Sequence, residues 1–538
     1  MIRYLIAGFL AALVAVGLLA EAYINIRPGL YAAVISTFGA SLFLLGLRPA
    51  YRKEMASRIL LTVIAFPIFA WALPNLWQLL AIMCIWVPLV ARTLKQIAPV
   101  YLFSLLMLPG LDVTVSAGAL KLFDFGAQDA LAVGASAAVF LSRGKASPRL
   151  RYDIAVMAVV LQIGIALARD TTFSNFLRTS VNVSLDLWLP YYILSRSLRS
   201  IEDLKRIMCW LGCGSVTLTA VLTYEVWRAW PIYNELYVHY QVPTLLLVKV
   251  RGGLLRASGP FVEPTSAAMV MAMCVLALWL SRDFFRSRAT HLCLLAVALI
   301  GLSVPQSRGA WVGLLLGMAV ADFTRGRHVA LTKKFVLVGI AAAFVFAAAL
   351  SSPYLSETVG LSGGSSETSD YRRLLFERGM KEFWHSPLFG FSNPELLWRL
   401  KDLRQGEGII DFVNTYIWIL LISGAIGFFI FTGTLLFFLH NVWRSYRTTP
   451  RIPGSAEVAT YIVACLAMLM EMLFFTSFGG RPAFFMFGLF GCAAAFLSCY
   501  RRNEPLSVPD NVFPIIEGSG PAHDDEQMPR PALSSATG

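Results

Sequence analysis

Four arginines, Arg256, Arg308, Arg372 and Arg373, stand in turn-forming or amphipathic stretches between long apolar runs. A guanidinium donates two parallel hydrogen bonds and never deprotonates, so several converging on one group suit a diphosphate held in a partly dry site. Arg256 lies in Leu255-Arg256-Ala257-Ser258-Gly259-Pro260-Phe261-Val262-Glu263-Pro264, and Arg308 in Val304-Pro305-Gln306-Ser307-Arg308-Gly309-Ala310-Trp311. Arg372 and Arg373 open an amphipathic stretch in which Ser369 or Asp370 can cap a helix, Glu377 and Lys381 are spaced as an ion pair, and Phe376, Met380 and Phe383 share a side. A fourth stretch, Asp411-Phe412-Val413-Asn414-Thr415-Tyr416, opens a long apolar run. Glu263, His385 and Asp411, in that order, are the side chains near these stretches that could accept a proton from a hydroxyl. Each motif also has a plainer reading. Glu263 before Pro264 fits a helix start, Arg308 an interfacial anchor, His385 a helix end, Asn414 a cap, and the amphipathic stretch a helix lying on a membrane surface.

What must position these residues is a set of membrane helices. Of 538 residues, 57% are hydrophobic and 14% charged, and apolar runs recur from end to end at the length that crosses about 30 Å of hydrocarbon. The expected fold is all-α, a polytopic transmembrane helix bundle of about 14–16 spans. The spans are read near 4–22, 29–47, 59–75, 76–91, 97–112, 126–141, 152–169, 181–196, 207–227, 262–280, 291–305, 309–322, 335–351, 411–439, 457–478 and 483–500. The chain divides into N-terminal helices over 1–206, C-terminal helices over 207–502 with long loops near 228–259 and 351–411, and a Pro-, Ser- and acid-rich tail over 503–538 that reads as disordered. The formal charge of +13 does not indicate nucleic acid, because most basic residues sit in short loops. The eight cysteines lack the spacing of a zinc site or dithiol, and neither metal nor cofactor is expected.

Every second loop is basic: 48–58, 92–95, 143–151, 196–206, 282–288, 325–334, 444–451 and 501–502. The positive-inside rule makes these cytoplasmic, with both termini inside and all four candidate stretches outside. The loop at 351–411 then carries an amphipathic helix from about Asp370 to Trp384, ended by Pro387, with Ser362-Gly363-Gly364-Ser365-Ser366 as a flexible strap.

From about Leu254 to Gly433 the chain resembles the O-antigen ligase and polymerase superfamily of bacterial envelopes. The resemblance rests on Arg256 to Pro264, on Ser307-Arg308-Gly309, on Arg372 to Gly390 ending His-Ser-Pro-Leu-Phe-Gly, and on Asn414-Thr415-Tyr416 followed by Leu420 to Gly427. It implies an inverting, metal-independent glycosyl transfer at the periplasmic face of the bacterial inner membrane, with an undecaprenyl-diphosphate-linked oligosaccharide as donor. Arg256 and Arg308 match the family's diphosphate-holding arginines, and Arg372 or Arg373 the basic start of its periplasmic helix. Ligases of the family commonly carry His where this chain has Val413. That departure favours a polysaccharide polymerase over a ligase, with membrane lipids, chain-length regulator and export proteins as further partners. A transporter or flippase is the alternative of another class.

Overall fold

The computed structural model describes residues 25–118, 120–142, 151–242, 248–261, 263–352, 356, 364–404, 410–448, 452–477 and 481–502. The expected span at 4–22 and the tail at 503–538 lie outside the described residues. Helices α1 (Asn25–Gly46), α2 (Pro49–Ala72), α3 (Leu76–Val90) and α4 (Leu94–Met107) lead into an antiparallel hairpin, β1 (Asp112–Ala117) and β2 (Leu120–Gly126), which composition did not announce. Then come α5 (Ala127–Leu141), α6 (Asp153–Ala168), α7 (Phe173–Val183), a π-helical turn Ser184–Trp188, α8 (Leu189–Ser197), α9 (Ile201–Arg228) and α10 (Glu235–His239). A second hairpin, β3 (Val250–Arg251) and β4 (Leu254–Leu255), precedes α11 (Pro264–Leu280), α12 (Arg288–Ser303), α13 (Arg308–Thr324) and α14 (His328–Ser351). The chain ends in α15 (Gly364–Phe383), α16 (Asn393–Arg399), α17 (Thr415–Thr448), α18 (Ser455–Met472) and α19 (Arg481–Arg502).

The fold is an all-α polytopic membrane bundle, and six of its described helices are long and apolar enough to cross a membrane. Its outer surface is apolar as well as its core: Leu89, Phe140, Ile154 and Phe344 are each more than two-thirds exposed, as expected where lipid rather than water is the solvent. Lipid gives no hydrophobic drive to pair helices, so close approach falls to small residues. Gly309, Gly313 and Gly317 form one stripe on α13, facing Phe475, Met472 with Glu471, and Met468 with Ala464. A side-chain carbon at Gly313 would sit 2.7 Å from the Met472 Cγ, so this glycine sets how near α13 and α18 can lie.

The bundle has two chemically distinct ends. At one, the basic loops meet: Arg48 donates to the Phe285 carbonyl at 3.1 Å, Arg286 to Leu47 at 2.9 Å and Arg58 to Val90 at 3.3 Å, while Lys205 pairs with Asp283 at 2.9 Å. At the other, α10 and the residue after it lie against the loop that follows α4 and the last turn of α2, with Tyr237 donating to the Gly110 carbonyl at 2.8 Å and Tyr240 to that of Ala70 at 2.7 Å.

The 351–411 region departs from expectation in four details. Helix α15 begins at Gly364, so Gly364, Ser365 and Ser366 belong to it and Ser369 and Asp370 are interior rather than caps; Ser362 and Gly363 lie outside the described residues. Glu377 pairs with Arg373 at 2.9 Å, not with Lys381. Buried Leu375, with Tyr371, Met380 and Phe383, packs on Ile417 and Leu421, whereas Phe376 is 52% exposed. Fourth, the segment after α15 does more than end it. Gly390 and Gly424 both take φ of +63°, and a side chain at either would strike the other's strand of backbone. Gly424 breaks the helical course of α17 there, and the freed groups pair across the junction: Phe391 N–H donates to Leu421 O at 2.7 Å and Ala425 N–H to Pro387 O at 2.8 Å. Arg169 completes the dock by donating to the carbonyls of Phe391 at 2.5 Å and Ile422 at 2.6 Å.

Candidate active site: an arginine cluster beside a cavity

The first component is the β3–β4 hairpin. Gly252 and Gly253 both have positive φ, +56° and +76°, which is what a two-residue turn matching strand twist requires. The ladder pairs Arg251 with Leu254 and Val250 with Leu255, and Arg256 N–H donates to Lys249 O at 2.9 Å. Period-two alternation then puts Lys249, Arg251 and Arg256 on one face. That face rests on the turn before α13: Arg251 Nη1 donates to the Gln306 carbonyl at 2.8 Å and Arg256 Nε to the Pro305 carbonyl at 3.1 Å. Arg308 is the first residue of α13, so the turn that receives two arginines supplies a third. Arg372 comes from α15, donating to the Phe475 carbonyl at 3.4 Å and lying 5.7 Å from that residue's ring centre.

These four guanidiniums repel one another. Burial, then the charges of Arg251, Arg308 and Arg372, push Arg256 down to about 10, although Glu263 pulls the other way. Keeping Arg256 charged here costs on the order of 3 kcal/mol. Burial likewise lowers Arg372, with Asp411 opposing and Arg251 adding to the effect. The Arg372 Nε is shielded from solvent and has no acceptor. A bound anion would relieve the repulsion beyond what Glu263 and Asp411 already do.

The second component is a cavity of about 530 Å³ between α15, the start of α17 and the end of α18. Arg372 lines it, together with Val413, Asn414, Phe376, Phe474 and Glu471. Its size and mostly apolar wall suit an organic ligand held by a few polar groups.

The other sequence candidates fall as follows. Arg373 lines the cavity, but its side chain is 81% exposed and paired with Glu377. Glu263 precedes α11 without capping it through its side chain; it pairs with Lys249 at 2.6 Å and bears on Arg256 from there. Asp411 accepts from the Ser477 hydroxyl at 3.0 Å and is the carboxylate felt by Arg372. His385 sits in the turn after α15, 3.6 Å from Glu382, and is not among the cavity's lining residues. Asn414 caps α17, its Oδ1 accepting from the N–H groups of Tyr416 at 3.0 Å and Ile417 at 3.2 Å, while also lining the cavity. Tyr416 is buried and donates to the Met470 carbonyl at 2.7 Å, a packing role between α17 and α18. Sequence reasoning passed over Arg251 and Glu471. The Gly-Gly pair between alternating Lys-Val-Arg and Leu-Leu-Arg was a legible hairpin signal for the first. Nothing local marked the second.

Helices of this kind make a multi-pass membrane protein, with the arginine cluster and the cavity as its candidate site. Residues 293–432, from α12 to midway along α17, match the family model described as O-antigen ligase, so this region is similar to that family. The match supports a membrane glycosyltransferase of the ligase or polymerase type acting on lipid-linked oligosaccharide. It includes Arg308, Arg372 and Asn414; Arg251, Arg256 and Glu471 lie outside it. No curated protein matches the chain.

Proposed function

We propose that the protein is a polysaccharide polymerase that joins undecaprenyl-diphosphate-linked repeat units at the periplasmic face of the bacterial inner membrane. The observation that carries this reading is the cluster of Arg251, Arg256, Arg308 and Arg372, drawn from three parts of the chain and sharing Arg372 with an apolar-walled cavity. In an inverting transfer the acceptor hydroxyl attacks the anomeric carbon as the bond from that carbon to the diphosphate oxygen breaks. Negative charge grows on the leaving diphosphate, where fixed guanidiniums stabilise it more than they do the ground state. The apolar wall would receive the first isoprene units or the sugar's apolar face. By the loop-charge bias, the basic end is cytoplasmic and both termini are inside.

Val413 in the cavity wall, where ligases of the superfamily commonly have His, favours polymerase over ligase. Deleting the gene should leave single lipid-linked repeat units and abolish high-mass polymer. Polymer that still forms but stays on its polyprenyl carrier identifies a ligase instead, and unchanged, fully exported polymer excludes both.

A further inference from the structure

We propose that Glu471 is the catalytic base of the transfer, an inference that rests on the glycosyltransferase reading. Glu471 is the last turn of α18 and lines the cavity together with Arg372. Both of its carboxylate oxygens are shielded from solvent and neither accepts a hydrogen bond. The cations nearby are engaged elsewhere: Arg372 donates to the Phe475 carbonyl and Arg373 to Glu377. A shielded carboxylate without a partner is costly, and one that lines a cavity has a natural partner in whatever enters it.

The neighbouring helix is cut to hold this side chain. A carbon added at Gly313 of α13 would lie 2.9 Å from the Glu471 Oε2, so the glycine leaves the carboxylate its room. Arg308 opens that same helix five residues earlier and Phe475, whose carbonyl receives Arg372, follows Glu471 by four. One helix junction therefore brings diphosphate-binding cations and an unpaired carboxylate to a single place. The three carboxyl and imidazole candidates of the sequence are differently placed: Glu263 is held by Lys249, Asp411 by Ser477, and His385 stands by Glu382.

The step balances without a further reagent. The acceptor hydroxyl oxygen forms its bond to the anomeric carbon, the bond from that carbon to the diphosphate oxygen breaks, and its electron pair leaves on the arginine-held diphosphate. The hydroxyl proton passes to the Glu471 carboxylate and afterwards to water at the cavity mouth. General-base assistance of this kind is worth about 10²–10⁴ in rate.

The test uses the full chain in lipid nanodiscs, with lipid-linked repeat units extracted from a strain lacking this gene as donor and acceptor. Glu471→Gln should lower kcat at least 100-fold while the KM for the lipid-linked unit stays within threefold, and Glu471→Asp should recover a tenth or more of wild-type kcat. A Glu471→Gln protein that keeps over a third of wild-type kcat, or loses activity through KM alone, overturns the assignment while leaving the glycosyltransferase reading intact. Should Glu471→Gln fail to fold, Glu471→Ala decides: a kcat lowered at least 100-fold with KM within threefold supports the base, and any smaller loss of kcat overturns it. Wild-type protein that does not extend the units removes the polymerase reading and the Glu471 assignment built on it.

Discussion

Arg256 carries a cost in stability that the proposed anion binding would offset. Its guanidinium is partly buried among like charges and pushed down to about 10, so the folded state binds its proton less tightly than the unfolded chain does. For a base depressed in this way the penalty is fully present at neutral pH and is relieved as pH rises through the folded value. Arg256→Gln should therefore unfold at a higher temperature than wild type without donor at pH 7, with the gap narrowing above pH ~10. Adding undecaprenyl diphosphate reverses the ranking: at a hundredfold excess over Kd, binding stabilises wild type by about 2.7 kcal/mol and the variant by far less. Thermal melts with and without the lipid read both effects, and a variant that never exceeds wild type would mean the Pro305 hydrogen bond outweighs the repulsion. Arg373 is the internal contrast. It is exposed and paired within its own helix, so Arg373→Gln should leave turnover within about threefold of wild type, whereas Arg372→Gln should lower it at least 100-fold. Equal losses at the two positions would show that α15 turns on binding substrate.

At the scale of elements, two glycine-mediated junctions fix where these side chains point. The stripe Gly309, Gly313 and Gly317 lets α13 lie against α18, and the Gly390–Gly424 crossing seats the segment after α15 in the break of α17, with Arg169 tying the carbonyls of both. These are local solutions to one problem: in a lipid environment irregular backbone survives only where protein groups satisfy it. Gly313→Ala should cost about 1–3 kcal/mol, the usual range for overpacking, and should reduce turnover further by displacing Glu471. Gly339→Ala on α14 is the matched control. No atom lies within 4 Å of a carbon added there, so only the helix propensity changes, and the variant should be up to about 1 kcal/mol more stable. Comparable destabilisation at both glycines would remove the argument that the α13–α18 contact is tight.

For the whole molecule, the helices were legible because lipid demands long apolar runs, and Arg256, Arg308 and Arg372 because a cation beside such a run is conspicuous. Arg251 needed its hairpin to be recognised, since pairing across Gly252 and Gly253 is what turns it toward Arg256. Glu471 was hidden because it ends an apolar helix far along the chain, and only the packing of α18 on α13 discloses its neighbours. Loop charge, by contrast, is a signal that the fold amplifies. Loops separated by more than two hundred residues meet at the basic end, where Arg48 reaches Phe285 and Arg286 reaches Leu47. The candidate site gathers at the end where Arg251 and Arg256 meet the turn before α13. One orientation must then hold for every loop at once, and the positive-inside rule predicts that the basic end is cytoplasmic. Single cysteines introduced into a chain freed of its native thiols test this in spheroplasts with a membrane-impermeant maleimide. Position 373, exposed on α15, should label from outside, and position 52, in the first turn of α2 at the basic end, should label only after the membrane is opened; the reverse pattern would put the arginine cluster in the cytoplasm and end the periplasmic transfer reading.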